Sequence, residues 1–209
     1  MGITRRGTTA AVPDRVNQFG RPHGPLGYLA GWIMAAGSTP AQSEIADLVT
    51  PLRDRQRVLE IGYGPGRLIK LLTEQTSHAE IVGVDPSTQM RHLATWANRA
   101  AVRSGQVRLE LGTASVLPFP DDHFDTVLSV NTVQAWPEVS GGLDEARRVL
   151  RDGGLMVLSW HSATAPGVIR RRLALDDTRL AEIEDAMRRV FGWVERRVLT
   201  HSVAFRARP

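Results

Sequence analysis

Cysteine is absent from the 209 residues, and lysine occurs once, as Lys70. The first absence excludes a disulfide scaffold, a thiolate nucleophile, cysteine-ligated zinc and iron–sulfur clusters. The second makes the positive charge almost wholly arginine, with 26 Lys+Arg standing against 22 Asp+Glu for a net +4. Because arginine keeps its charge far above neutrality, this small excess is enough to give a sequence pI near 10.5. The arginines are scattered, Arg170-Arg171-Arg172 being the densest cluster, so a solvated face is expected and no nucleic-acid partner. No apolar run approaches the ~18–20 residues of a membrane span. No apolar stretch follows Arg5-Arg6 as a signal peptide requires. The expected location is cytoplasmic, without stable membrane insertion, and no metal site is expected.

What is present is ordinary for a globular chain, 42% hydrophobic and 23% charged residues. Residues 1–22 read as a polar arm, and residues 23–209 as one domain opened by a helical lid over 23–50. In that lid, Pro25 to Gly37 is uncharged and apolar, with helical spacing at Leu26, Leu29, Ile33 and Met34. A second helix is expected over Pro40–Val49, capped by Ser38 or Thr39. From Arg57 onward strands and helices alternate, the mark of an α/β fold built on a parallel sheet. Strands are expected at Arg57–Ile61, Glu80–Asp85, Val107–Leu111, Phe124–Val130 and Leu155–Trp160. Helices are expected at Gly66–Thr76, Ser87–Ser104, Glu138–Arg151 and Asp177–Val190, with Asp152-Gly153-Gly154 as a C-cap. Trp193–Leu199 and Ser202–Arg206 are close enough to pair as an antiparallel hairpin, which brings the strands to seven. Trp96 and Trp193 are expected in the core.

The sharpest feature is Val58-Leu59-Glu60-Ile61-Gly62-Tyr63-Gly64-Pro65-Gly66-Arg67. A buried strand runs into three alternating glycines, and an amphipathic helix follows. Glycines are needed where the backbone turns sharply and a ligand must approach without a Cβ in the way, so a nucleotide-type cofactor is expected. The spacing is G-x-G-x-G rather than the dinucleotide G-x-G-x-x-G, which argues against a nicotinamide dehydrogenase. Asp85 ends the second strand, where its carboxylate can accept both hydroxyls of a ribose; an acid at a strand end is otherwise often a helix cap. Gly112-Thr113-Ala114, then Ser129-Val130-Asn131-Thr132-Val133-Gln134-Ala135-Trp136-Pro137, then Leu143 through Gly154 complete the series.

With these five elements in order over residues 24–206, the chain resembles the class I S-adenosylmethionine-dependent methyltransferases that act on small molecules. The resemblance implies a Rossmann-like, doubly wound sheet, S-adenosylmethionine as methyl donor and S-adenosylhomocysteine as product. It implies that Glu60 holds the methionine ammonium end, that Gly62, Gly64 and Gly66 line the cofactor's close approach, and that Asp85 takes the ribose diol. Thr113 and Ala114 face the adenine, and Asn131 sits beside the methionine portion and the sulfonium. Many relatives carry Asp where this chain has the neutral acceptor Thr113.

Methyl transfer from a sulfonium is an in-line displacement with a good leaving group, so the protein supplies mainly alignment and a dry pocket. A base is needed only for an unionised hydroxyl or an ammonium. His161, following the fifth strand, is the first candidate, and His23, before the apolar helix, the second. Tyr28, Trp32, Trp136 and Trp160 are candidates for an aromatic wall around an aromatic or apolar acceptor. O- or N-methylation of a small molecule is the expected reaction, by a monomer or homodimer. A phospholipid-headgroup N-methyltransferase, using segment 25–37 at a membrane surface, and a non-catalytic cofactor-binding protein are the alternatives.

Overall fold

The computed structural model describes residues 40–76 and 78–209. The proposed arm, most of the lid, and with them His23, Tyr28 and Trp32, lie outside the described residues. A helix over 40–49 (α1) leads into β1 (Arg57–Ile61), α2 (Arg67–Gln75), β2 (Glu80–Asp85), α3 (Thr88–Ala97), α4 (Arg99–Arg103) and β3 (Val107–Leu111). β4 (Phe124–Val130), a 3-10 turn at Val133–Ala135, α5 (Val139–Val149), β5 (Leu150–His161), α6 (Val168–Leu173), α7 (Asp177–Phe191), β6 (Trp193–Val198) and β7 (Ser202–Arg208) follow.

The seven strands form one sheet in the order β3-β2-β1-β4-β5-β7-β6. β1 to β5 run parallel, and β7 joins β5 antiparallel and pairs with β6 as a hairpin. One face packs against α5 and α7 through residues such as Leu143, Ala146, Ile183 and Met187. The other packs against α1, α2 and α3 through Ile45, Leu68, Leu72 and Met90. Strands covered on both faces are buried at nearly every position, which is why β1 and β4 are mostly apolar. In this Rossmann-like fold the order reverses between β1 and β4, and ligands of such sheets sit beyond the carboxyl ends of the strands at that point.

Three expectations are corrected. The long helix over 87–104 is broken at Asn98 (φ −111°, ψ 22°) into α3 and α4. Asp152-Gly153-Gly154 is no helix cap: α5 ends at Val149, and β5 begins at Leu150. The three residues lie in an irregular stretch of β5, where the pairing slips between Phe124 and Thr126 and Gly153 takes φ +72°. Trp96 and Trp193 are not core residues, being 70% and 47% exposed. Met90 and Ala94 occupy the buried face of α3 and leave Trp96 on the solvent side. Trp193 opens the edge strand β6, where alternation turns Val194 inward and the indole outward.

Candidate active site

The three glycines after β1 all have positive φ, +78° at Gly62, +50° at Gly64 and +79° at Gly66, but for different reasons. A Cβ on Gly62 would collide with the Thr132 side chain, whose hydroxyl donates to Ile61 O at 3.2 Å and pairs with Ser129 Oγ at 2.7 Å. A Cβ on Gly66 would lie 2.7 Å from Asn98 Nδ2 and 2.8 Å from Ala94 Cβ. Of the three, only Gly64 has nothing within 4 Å of that position among the described residues. Tyr63 between them is buried and packs over Gly83, its hydroxyl 3.4 Å from Glu110 O. Burial and the Asp85 charge push its phenol well above the usual range.

The loop is held by Asp85 at the end of β2. The N–H of Gly64 donates to Asp85 Oδ2 and that of Ser87 to Asp85 Oδ1, each at 2.9 Å. Asp85 is not the cap of α3; Ser87 is, its Oγ accepting from Met90 N–H. The carboxylate is 7% exposed, and burial raises its pKa against the pull of those two N–H groups. Each oxygen carries one N–H and keeps a lone pair for a ligand hydroxyl.

Glu60, next to last in β1, is 1% exposed, and its Oε2 has no hydrogen-bond partner among the described residues. Burial first and the Asp85 charge second hold its carboxyl well above the ordinary range, opposed by the Ile69 N–H in the first turn of α2. At the end of β4, Asn131 takes the left-handed conformation (φ +57°) that Asn tolerates, donates its N–H to Ser159 O at 2.9 Å, and buries an unpartnered Oδ1. At the end of β3, Gly112 N–H donates to Asp85 O, Ala114 is buried, and half-buried Thr113 forms a bridge with Val116.

The carboxyl ends of β1 to β4 thus collect Glu60, the glycine loop, Asp85, Thr113, Ala114 and Asn131. His161 ends β5, half-buried, paired in register with Ser202 on β7, its ring 5.5 Å from that of Trp160. Trp160 points to the opposite face, packs against the core and donates its indole N–H to Leu173 O at 2.6 Å. Trp136 follows the 3-10 turn and lies directly over Gly142 of α5. Among the described residues, no group of three or more His, Asp or Glu is placed to hold a metal.

Sequence reasoning missed the residues that brace this edge. Asn98 Nδ2 donates to Gly66 O at 3.0 Å and Ala94 O at 2.9 Å, fastening the third glycine to the α3–α4 break. Glu44 of α1 accepts from His201 N, His201 Nδ1 and Ser202 Oγ at 2.8–3.1 Å, docking α1 on the β6–β7 turn. The nearest local signal for Asn98 is a lone Asn in an otherwise helical run.

Glycine replacements should separate these roles. Gly64→Ala meets only the backbone penalty of a positive φ, about 1 kcal/mol, whereas Gly66→Ala adds a steric clash with Asn98 and Ala94. Denaturant unfolding is expected to rank Gly66→Ala as the more damaging by at least about 1 kcal/mol; equal effects would contradict the packing at Gly66.

Comparison with known proteins agrees with this geometry. A methyltransferase-domain family model matches residues 59–158. An uncharacterized methyltransferase of Bacillus subtilis (strain 168), YdaC, is 34% identical over 127 residues, which cover 60% of this chain and 67% of that protein. A demethylmenaquinone methyltransferase of Deinococcus radiodurans is 35% identical over 143 residues, covering 68% of this chain and 54% of that protein. The chain spans 45–67% of the length of the first four such relatives. A crystal structure described as a putative S-adenosyl-L-methionine-dependent methyltransferase of Methanococcus maripaludis superposes with TM-score 0.73 over 87% of this chain and 92% of that one, at 18% identity. The chain belongs to the class I S-adenosylmethionine-dependent methyltransferases. Its cofactor is therefore S-adenosylmethionine. The buried, partnerless Glu60 oxygen, the Asp85 lone pairs and the open side of Gly64 fit a cationic nucleoside of that kind.

Proposed function

We propose that this protein methylates a small organic acceptor of aromatic or apolar character, and that the carboxyl edge of β1–β5 is where it does so. One observation supports this above the others: among the described residues, the fully buried carboxylate Glu60 has an oxygen with no partner, beside a loop whose Gly64 has no neighbour where a Cβ would lie. A buried acid with an unfilled acceptor site suits a ligand that brings its own positive charge.

The cofactor supplies an activated methyl group on a sulfonium. In this reading Glu60 accepts hydrogen bonds from the ammonium end, and Asp85 binds both ribose hydroxyls without releasing Gly64. Thr113 and Ala114 flank the adenine, and the buried Asn131 oxygen faces the methionine portion. The acceptor lies toward β5, with Trp136 as an apolar wall and His161 positioned to take the proton released as the new bond to the methyl carbon forms. The relatives named as quinone-pathway methyltransferases make a hydroxylated aromatic ring a natural first acceptor to screen.

His161→Asn tests the base. With a hydroxyl acceptor, kcat is expected to fall about 10²-fold or more, while cofactor affinity is unchanged. Undiminished turnover across the pH range would remove His161 from the chemistry.

A further inference from the structure

On the outer side of α2 and α4 lies an open cleft of about 560 Å³, separate from the cofactor edge. Lys70 and Thr73 of α2 face Arg99 and Arg103 of α4 across it, with Ser104 and Gln106 at the entry to β3. None of its lining residues is acidic, and alanines at 97, 100 and 101 add too little bulk to fill it. The asymmetry extends along the chain: between Asp85 and Glu110 there is no Asp or Glu, but there are Arg91, His92, Arg99, Arg103 and Arg108. Among the described residues the Lys70 ammonium makes an exposed i,i+4 pair with Glu74 at 3.0 Å, which a multivalent anion can outcompete at little cost. The exposed Trp96 indole lies under the Arg99 guanidinium, 5.8 Å from its ring centre.

We propose that this cleft is a second ligand site, for a small molecule bearing phosphate groups. Three cations from two helices line a space of small-molecule size; Thr73 and Ser104 already donate their hydroxyl hydrogens to Lys70 O and Ala101 O, which leaves the cations and the second amide hydrogen of Gln106 to hold the ligand. A duplex or single strand is less suited, because the cations line a single cleft rather than a continuous stripe. The site is coupled to the cofactor loop by one side chain. Asn98 is part of the cleft wall and also donates to Gly66 O, so a ligand that shifts the start of α4 moves the third glycine. Anion binding and cofactor binding must then alter each other's affinity by the same factor.

The test is calorimetric titration of the full chain with pyrophosphate, alongside inorganic phosphate and a short single-stranded oligonucleotide. Pyrophosphate is expected to bind saturably, more tightly than phosphate, and more weakly as salt rises. The R99E/R103E double variant should lose at least tenfold in pyrophosphate affinity and, without pyrophosphate, bind S-adenosylmethionine as the native chain does. Pyrophosphate should shift the native chain's cofactor affinity and leave the variant's unaltered. The proposal is overturned if pyrophosphate does not saturate, or if the double variant binds it equally well. It is also overturned if pyrophosphate simply competes with the cofactor irrespective of the arginines. An oligonucleotide that binds where pyrophosphate does not would make this a nucleic-acid face instead.

Discussion

Glu60→Gln is expected to weaken S-adenosylmethionine binding by about 1.5–3 kcal/mol, the usual cost of losing a charge-assisted hydrogen bond, while raising the melting temperature of the free protein at neutral pH. The two effects share one cause. Burial and the Asp85 charge hold the Glu60 carboxyl above its ordinary range, so the folded state binds that proton more tightly than the unfolded chain does. Below the unfolded value both states are protonated and the group is neutral for stability. As pH rises from the unfolded value toward the folded one the penalty grows, and it is fully present above the folded value. Gln removes the penalty there and changes nothing at low pH. Cofactor binding has the opposite dependence: the ammonium needs the anion, so affinity falls as pH falls through the raised value, and binding releases a proton. Calorimetry in buffers of different ionisation enthalpy reads that proton directly. A Glu60→Gln protein that still releases it, or binds undiminished, would sink the assignment.

The second large effect is at Asp85, where two replacements should part company. Asp85→Asn retains a carbonyl oxygen but loses the charge and one of the two acceptors now used by Gly64 and Ser87. Asp85→Ala loses both, leaving two N–H groups unsatisfied at a nearly buried position, at about 1–3 kcal/mol each. Cofactor affinity is expected to fall about tenfold or more in both variants. Asp85→Ala should lose more unfolding free energy than Asp85→Asn, which leaves only one of the two N–H groups unsatisfied. Equal stability of the two, with unchanged affinity, would mean that Asp85 neither braces the loop nor meets the ribose.

Most of the fold is legible along the chain because its signals are local. A strand buried on both faces is mostly apolar, and β1, β2 and β4 fall where such runs do. The loop at 62–66 shows itself because repeated glycine after a buried strand has few other physical uses, and Asp85 because it ends the next strand. The helix over 87–104 fails for a related reason: each residue there is compatible with a helix, and only the pull of Asn98 toward Gly66, 32 residues away, breaks it. Trp96 and Trp193 fail because a large apolar side chain does not declare which side of its element it occupies.

The sequence by itself determined the order of elements, the mostly parallel character of the sheet, the glycine loop, the acid next to last in β1 and the acid that ends β2. These follow from burial and backbone conformation, which are written residue by residue. Tertiary structure alone decided why each glycine must be glycine, since their neighbours are Thr132 in one case, Asn98 and Ala94 in another, and open space in the third. It also decided that Glu44 clasps His201 and Ser202, partners more than 150 residues apart. Such contacts depend on how the chain is brought together, and hydrophobic periodicity carries no information about which distant polar groups will meet.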